Sequence, residues 1–337
     1  MIDPGRGSNG GHGIVGLTTE LSADSKHNSY ISSKSINNMR TGNICLIIFL
    51  LGAIAFPSAC AANAPVNNSA STLTNHSDLV SFVDKAVAYA KANGKDKAIA
   101  EINNSKGKFV NGSLYVFAVD SNGVALAHPK RPDFVGKNQL GMQDTNGAAF
   151  FKNMLAVATN GEGFAYYIFA NPAHNNKQEL KLSYVEKVDD NWWAGAGTYL
   201  SDIPANFSAE SRDNLTSFVE AAAKYAKDNG KDKALKVFND KNGTFFKNGL
   251  YVFAYDFAGN TLAAPTQPNL IGTSRISAQD PNGVKFIRDM ADLAKGGSGF
   301  TYYIYADPTK NMSQKVKLSY VSKVDDNWWV GAGLYAQ

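Results

Sequence analysis

The chain has 337 residues, 44% of them hydrophobic and 18% charged, a globular balance that excludes wholesale disorder, collagen and a coiled-coil rod. At roughly 100–200 residues per domain, the length predicts about two domains. A net charge of +4 without any dense basic cluster leaves no footprint for nucleic acid. Both cysteines, Cys45 and Cys60, lie within the first 64 residues, ahead of the folded part, which is therefore expected to carry no disulfide, thiolate metal site or cysteine nucleophile.

Residues 1–38 are rich in Gly, Ser and Asn and show no hydrophobic period. Such a segment buries too little apolar surface to offset its ordering entropy. It reads as a disordered or mis-started leader, because Met39 is a second candidate start. Residues 39–64 read as a signal peptide: Met39-Arg40, an apolar run from Ile44 to Phe56, then small residues through Ala59, Ala61, Ala62 and Ala64. A helix over that run would span about 20 Å, short of the roughly 30 Å hydrocarbon core, which favours cleavage over spanning. Cys60 after Pro57-Ser58-Ala59 keeps a lipid anchor open as the alternative. Either route predicts an extracytoplasmic protein, secreted, periplasmic or tethered at the cell surface. Residues 65–76 form a polar linker.

The remainder is one unit written twice. Leu79-Val80-Ser81-Phe82-Val83 recurs as Leu215-Thr216-Ser217-Phe218-Val219, and Lys187 to Trp193 recurs as Lys323 to Trp329. The offset is 136 residues throughout, with about half of the aligned positions identical. Solenoid repeats are roughly 20–50 residues, so the pattern predicts a tandem duplication: residues 77–200 and 214–337, joined by a linker at 201–213.

Within the first copy, Leu79, Phe82, Val83, Ala86 and Ala90 keep helical spacing, with Gly94 as the stop. A shorter helix covers Lys95 to Asn103. Ser113 to Val119 and Val124 to His128 form a hairpin about Asp120-Ser121-Asn122-Gly123. A proline-bearing loop follows, and Asp144 is expected to cap a helix running to Thr159. Three strands close the unit: Phe164 to Ala170, Glu179 to Val188 and Trp192 to Tyr199. The fold class is α+β, each copy a five-stranded antiparallel sheet with a long N-terminal helix and with helices and loops over one face.

The string Tyr115-Val116-Phe117-Ala118-Val119-Asp120-(x)2-Gly123-(x)2-Leu126-Ala127-His128-Pro129 resembles the first half of a single-Cache domain. So do the Gly163-Phe164-(x)2-Tyr167-x-Phe169-x-Asn171-Pro172 strand, Lys181-x-Ser183-Tyr184-Val185, and the closing Asp190-x-Trp192-Trp193-x-Gly195-x-Gly197-x-Tyr199. The second copy repeats these marks at Asp256, Gly259, Pro265, Tyr303, Lys317, Ser319, Trp328 and Tyr335. The aromatic position of that strand, often Trp in the family, is Phe169 here and Tyr305 in the second copy. The resemblance implies two tandem PAS-like extracellular sensor modules for small ligands, short carboxylates or amino acids. It implies work with a separate signalling partner, a membrane receptor or kinase, because no apolar stretch of about 20 residues follows the repeats. The long helix also makes a homodimer conceivable.

Strand alternation suggests where a ligand would sit. Leu180, Leu182 and Tyr184 share one face and suit the N-terminal helix. Lys181, Ser183 and Val185 share the other, beneath the loop and helix of residues 129–159. A buried ammonium needs an anion or water, so Lys181, Tyr167 and His128 are expected to grip a small carboxylate. Arg131 stands at the rim, Ser183 beside Lys181, and Phe134 or Trp193 forms the apolar wall. Tyr303, Lys317 and Ser319 are the second-copy counterparts. Each residue also has a structural reading: Lys181 reaching solvent at a strand end, Tyr167 and Trp193 as packed aromatics, His128 as a turn-flanking surface residue. Because His128, Lys130, Arg131 and Lys137 become Ala264, Thr266, Gln267 and Thr273, the first copy is expected to favour acids more.

No nucleophile elbow, paired-histidine metal motif, P-loop or dinucleotide fingerprint occurs, so no enzyme and no cofactor are expected. A non-binding structural or interaction module at the cell surface remains the alternative function.

Overall fold

The computed structural model describes residues 76–337 apart from Asn248, and they all belong to one compact unit. The leader, the signal peptide and its Cys60, and residues 65–75 of the polar linker lie outside the described residues.

The first half opens with helix α1 (His76–Asn93), whose buried Leu79, Val83, Ala86, Val87 and Ala90 form one apolar stripe. Gly94, at φ 83°, makes the sharp turn into α2 (Lys95–Asn103). Strands β1 (Val110–Asn111), β2 (Leu114–Asp120) and β3 (Ala125–Ala127) follow, then a 3-10 turn at Pro132–Phe134 and helix α3 (Phe150–Thr159). Strands β4 (Glu162–Asn171), β5 (Lys177–Asp189) and β6 (Trp192–Tyr199) complete an antiparallel sheet in the order β3-β2-β6-β5-β4, with β1 hairpinned onto β2. The expected five-stranded sheet is therefore present, with one two-residue strand added.

The second half repeats this plan. Helices α4 (Ala209–Asn229) and α5 (Lys231–Phe238) precede β7 (Phe246–Lys247), β8 (Leu250–Tyr251), β9 (Phe253–Asp256) and β10 (Thr261–Ala263). Helix α6 (Phe286–Lys295) leads to β11 (Ser298–Asp307), β12 (Ser313–Lys323) and β13 (Trp328–Tyr335), giving a sheet ordered β10-β9-β13-β12-β11. Each last hairpin is pinned by an aspartate: Asp189 accepts from the Asn191 amide and the Trp192 indole, and Asp325 does the same for Asn327 and Trp328.

Three features depart from the sequence reading. Asp144 does not cap a helix. Helix α3 starts only at Phe150, and the Asp144 carboxylate accepts instead from the amides of Asn146, Ala148 and Ile168 and from the Tyr302 hydroxyl. Next, α4 begins at Ala209, inside the stretch read as linker, with Ser208 as its N-cap. The residues before it are held down: Ala205 is buried and its carbonyl accepts from Asn146, whose own side-chain oxygen accepts from Phe207.

Finally, the α1 face of the first sheet is not covered by α1 alone. Tyr184 packs under α1, but Leu180 and Leu182, with Tyr166 and Ile168, join Tyr302, Val316 and Leu318 of the second half in one apolar cluster. The two halves thus share a core. Among the described residues, no helix is long and apolar enough to cross a membrane.

Candidate functional site

In both halves, the sheet face away from the long helix carries a lysine. On β12, Lys317 and Ser319 point to the same side, paired with Tyr303 and Thr301 of β11 and with Tyr335 and Gly333 of β13. Lys317 is 1% exposed. Its ammonium donates to the Tyr251 hydroxyl at 2.9 Å, and that hydroxyl lies 3.2 Å from the Tyr335 hydroxyl. Four rings surround the nitrogen: Tyr251, Tyr335, Phe253 and Tyr305, with centroids 4.5, 4.7, 5.6 and 5.6 Å away. Such rings favour a cation. Burial raises the Tyr251 phenol, but the Lys317 charge together with hydrogen bonds to Lys317, Tyr335 and Thr266 outweighs burial and holds it below the usual tyrosine value. Among the described residues, no carboxylate pairs with Lys317.

A hollow opens in front of this ammonium, lined by Tyr251, Tyr303, Tyr305, Gln267, Met290 and Lys317 among others. It holds about 380 Å³ of empty space including its mouth, and the centre of a water molecule can reach about 30 Å³ of that. This is room for roughly two waters, or for a ligand of a few heavy atoms. Tyr303 forms the floor, stacked on Phe286 at 4.8 Å and hydrogen-bonded to Ser319 at 3.0 Å. Tyr305 closes one side by donating to the Gln267 side-chain oxygen at 2.8 Å.

The first half keeps the floor of this arrangement but fills its space. Lys181 is again 1% exposed and donates to Tyr115 at 3.1 Å, and Tyr167 meets Ser183 at 2.9 Å. The phenol oxygens of Tyr115 and Tyr167 outweigh burial and lift the Lys181 pKa above the ordinary value. Where the second half has Ala264 and Leu270, the first has His128 and Phe134. The His128 ring lies 5.1 Å from Tyr115 and 5.5 Å from Phe134, and Phe134 lies 6.4 Å from Phe169. His128 is buried, not a surface residue, and its Nδ1 has no partner. Burial above all, then the charges of Lys181 and Arg131, lower its pKa to about 3, so it is neutral.

Of the residues singled out in the sequence, Lys181, Tyr167, Ser183, His128 and Phe134 come together, as do Tyr303, Lys317 and Ser319. Arg131 stays at the rim, bound to Asp133 at 2.7 Å, with its guanidinium 3.8 Å over Phe134. Trp193 stands apart: it pairs with Lys187, while Lys181 pairs with Tyr199, six residues away along β5. The wall near the lysine is Phe169 and Tyr199 instead, 5.5 and 4.9 Å from the ammonium. Sequence reasoning missed Tyr115 with Tyr251, Tyr199 with Tyr335, and Gln267. The tyrosine pairs recur at the repeat offset and fall on the same strand face, a signal available in the sequence. Gln267 has no such signal.

Gly333 makes room for the lysine. A Cβ there would overlap Ser319 Oγ and come 2.5 Å from Lys317 Cε. Gly333→Ala is therefore expected to displace the lysine without removing its charge, costing about 1–3 kcal/mol in chemical unfolding and abolishing whatever binds at Lys317. An unchanged unfolding midpoint would contradict this close approach.

A sheet face roofed by a loop and a helix, with a recessed cation facing a hollow, is a layout suited to holding a small molecule. Residues 78–337 match the Cache domain model dCache_2, and the chain belongs to this family of extracytoplasmic sensor domains. One match spans both copies. Sensor histidine kinase MctS of Rhizobium johnstonii is 35% identical over 86 residues, which cover 25% of this chain and 18% of that protein. The chain thus matches under a fifth of the length of this curated relative. A methyl-accepting chemotaxis protein from Vibrio parahaemolyticus is 25% identical, with 37% of this chain and 88% of that one covered and a TM-score of 0.34. The ligand-binding domain of the Pseudomonas fluorescens chemoreceptor CtaA, in complex with L-isoleucine, is 13% identical over 77% of this chain and 84% of its own, with a TM-score of 0.26.

Proposed function

We propose that the chain is an extracytoplasmic sensing unit that binds a small carboxylate or amino acid through Lys317 in its second half, and that a membrane receptor or kinase reads the bound state. The observation that carries this reading is a buried ammonium facing an open hollow with hydroxyl and ring partners but no acid. An anion entering there exchanges its water for a charge-assisted hydrogen bond at a site already desolvated. Tyr303 and Gln267, which line the hollow, supply the remaining polar contacts, and Ser319 holds the Tyr303 hydroxyl from behind. The family membership supports sensing, and the name of the matched kinase supports a signalling partner.

The non-binding alternative is favoured for the first half, where His128 and Phe134 take the space that a ligand would need. This reverses the expectation that the more cationic copy is the better acid binder. Charge at a rim attracts, but only empty volume admits. Calorimetry of the full chain against acetate, propionate and small amino acids tests the reading. Lys317→Met is expected to weaken binding by about 10–100-fold, the worth of a hydrogen bond to a charged group, while Lys181→Met leaves it intact. Unchanged affinity in Lys317→Met sinks it.

A further inference from the structure

A second cation lies outside the hollow. An open groove of about 760 Å³ is lined by Arg275, Gln267, Tyr305, Phe286 and Asp280 among others. Gln267, Tyr305 and Phe286 also line the Lys317 hollow. The hydrogen-bonded Gln267–Tyr305 pair is therefore a partition between the inner space and the groove. One neutral hydrogen bond contributes little net once water can replace it, so the partition opens at small cost.

Arg275 occupies a position that the first half uses differently. Its counterpart Gln139 is 4% exposed and staples its own loop by donating to the Phe134 and Lys137 carbonyls. Arg275 keeps the backbone bond of that position, its amide donating to Gly259 as Gln139 does to Gly123, but the residue is half-buried and lines the groove. No carboxylate pairs with it among the described residues. Asp280, the acid on the same groove, has its oxygens committed to the amides of Asn282, Val284 and Ile304. A guanidinium with free donors at the groove and an ammonium at the end of the adjoining hollow make two anion-binding ends.

We propose that the ligand of the second half is a dicarboxylate, one carboxylate on Lys317 and the other on Arg275, with its carbon chain passing where Gln267 and Tyr305 now meet. This rests on the reading of Lys317 as the binding residue and adds the class of ligand. Space agrees with it: the inner hollow alone takes a few heavy atoms, and a longer acid must extend into the groove.

The test uses the full chain and calorimetry with acetate and propionate against malonate, succinate and glutarate. At least one diacid is expected to bind ten-fold or more tighter than either monoacid. Arg275→Gln, with circular dichroism as the check that the fold is retained, is expected to erase that advantage and leave the monoacids unchanged. Arg275→Lys should restore part of it. Lys317→Met should weaken both classes. If Lys317→Met weakens binding while Arg275→Gln leaves diacid affinity unchanged, this inference falls and the sensing site stands. If Lys317→Met leaves every acid unaffected, or the wild-type chain binds none, both fall.

Discussion

Asp144→Ala is expected to lower the unfolding free energy by about 4 kcal/mol, more than most single substitutions do. One carboxylate accepts from the amides of Asn146 and Ala148 at 2.9 and 3.0 Å, the amide of Ile168 at 3.0 Å and the Tyr302 hydroxyl at 2.7 Å. Alanine removes all four bonds and leaves donors facing an apolar cluster. Each such donor costs about 1–3 kcal/mol, less whatever water recovers. The partners also span the molecule: Asn146 and Ala148 lie in the loop leading to α3, Ile168 in β4, and Tyr302 in β11 of the other half. The second half mirrors this, with Asp280 accepting from Asn282, Val284 and Ile304, and Asn282 donating to Tyr166. The loss should therefore appear as one lowered transition for the whole unit, not as separation into two. Urea unfolding followed by tryptophan fluorescence and by far-ultraviolet dichroism checks it: the two probes should move together. A change below about 1 kcal/mol, or a transition split in two, would show that this carboxylate does not join the halves.

The same residue explains what a sequence can and cannot tell. Helix α1, its stop at Gly94, and the strands β2 and β4 to β6 follow from periodicities of 3.6 and 2, which are local, so they were legible. The face of Lys181 followed too, because alternation fixes side-chain direction once the strand is known. Asp144 looked like a helix cap because Asp before an apolar run usually is one. Two of its four partners lie 24 and 158 residues away, at Ile168 and Tyr302. Leu180 and Leu182 looked like residues for a copy's own core, and nothing in a repeat says that two copies will cover each other's exposed sheet faces. The functional asymmetry was hidden for a further reason. His128 against Ala264 reads as charge lost, whereas in the fold it is volume lost. The hollow results from Ala264 and Leu270 being too small to fill what His128 and Phe134 fill. Packing at near-crystalline density turns such differences into cavities, and sequence alone does not reveal which neighbours close them.

Lowering the pH should destabilise the wild-type chain more steeply than His128→Phe. Burial, followed by the nearby Lys181 and Arg131 charges, lowers the pKa of His128 to about 3, only partly offset by its own backbone and by Asp133. An unfolded histidine titrates near 6.5. Between these values, the unfolded chain binds a proton that the folded chain refuses, so stability rises with pH across this window. The contribution is complete above about pH 6.5 and is lost as the pH falls towards 3. Its limiting slope is about 1.4 kcal/mol per pH unit. Phenylalanine keeps a ring among Tyr115, Phe134 and Phe169 and carries no proton, so the variant should lack this slope while keeping the part due to carboxylates. Urea midpoints taken at half-unit steps from pH 7 to pH 4 in both proteins give the difference directly. Parallel curves would mean that His128 accepts its proton inside the fold, and the aromatic filling of the first half would then have to open to water in order to admit it.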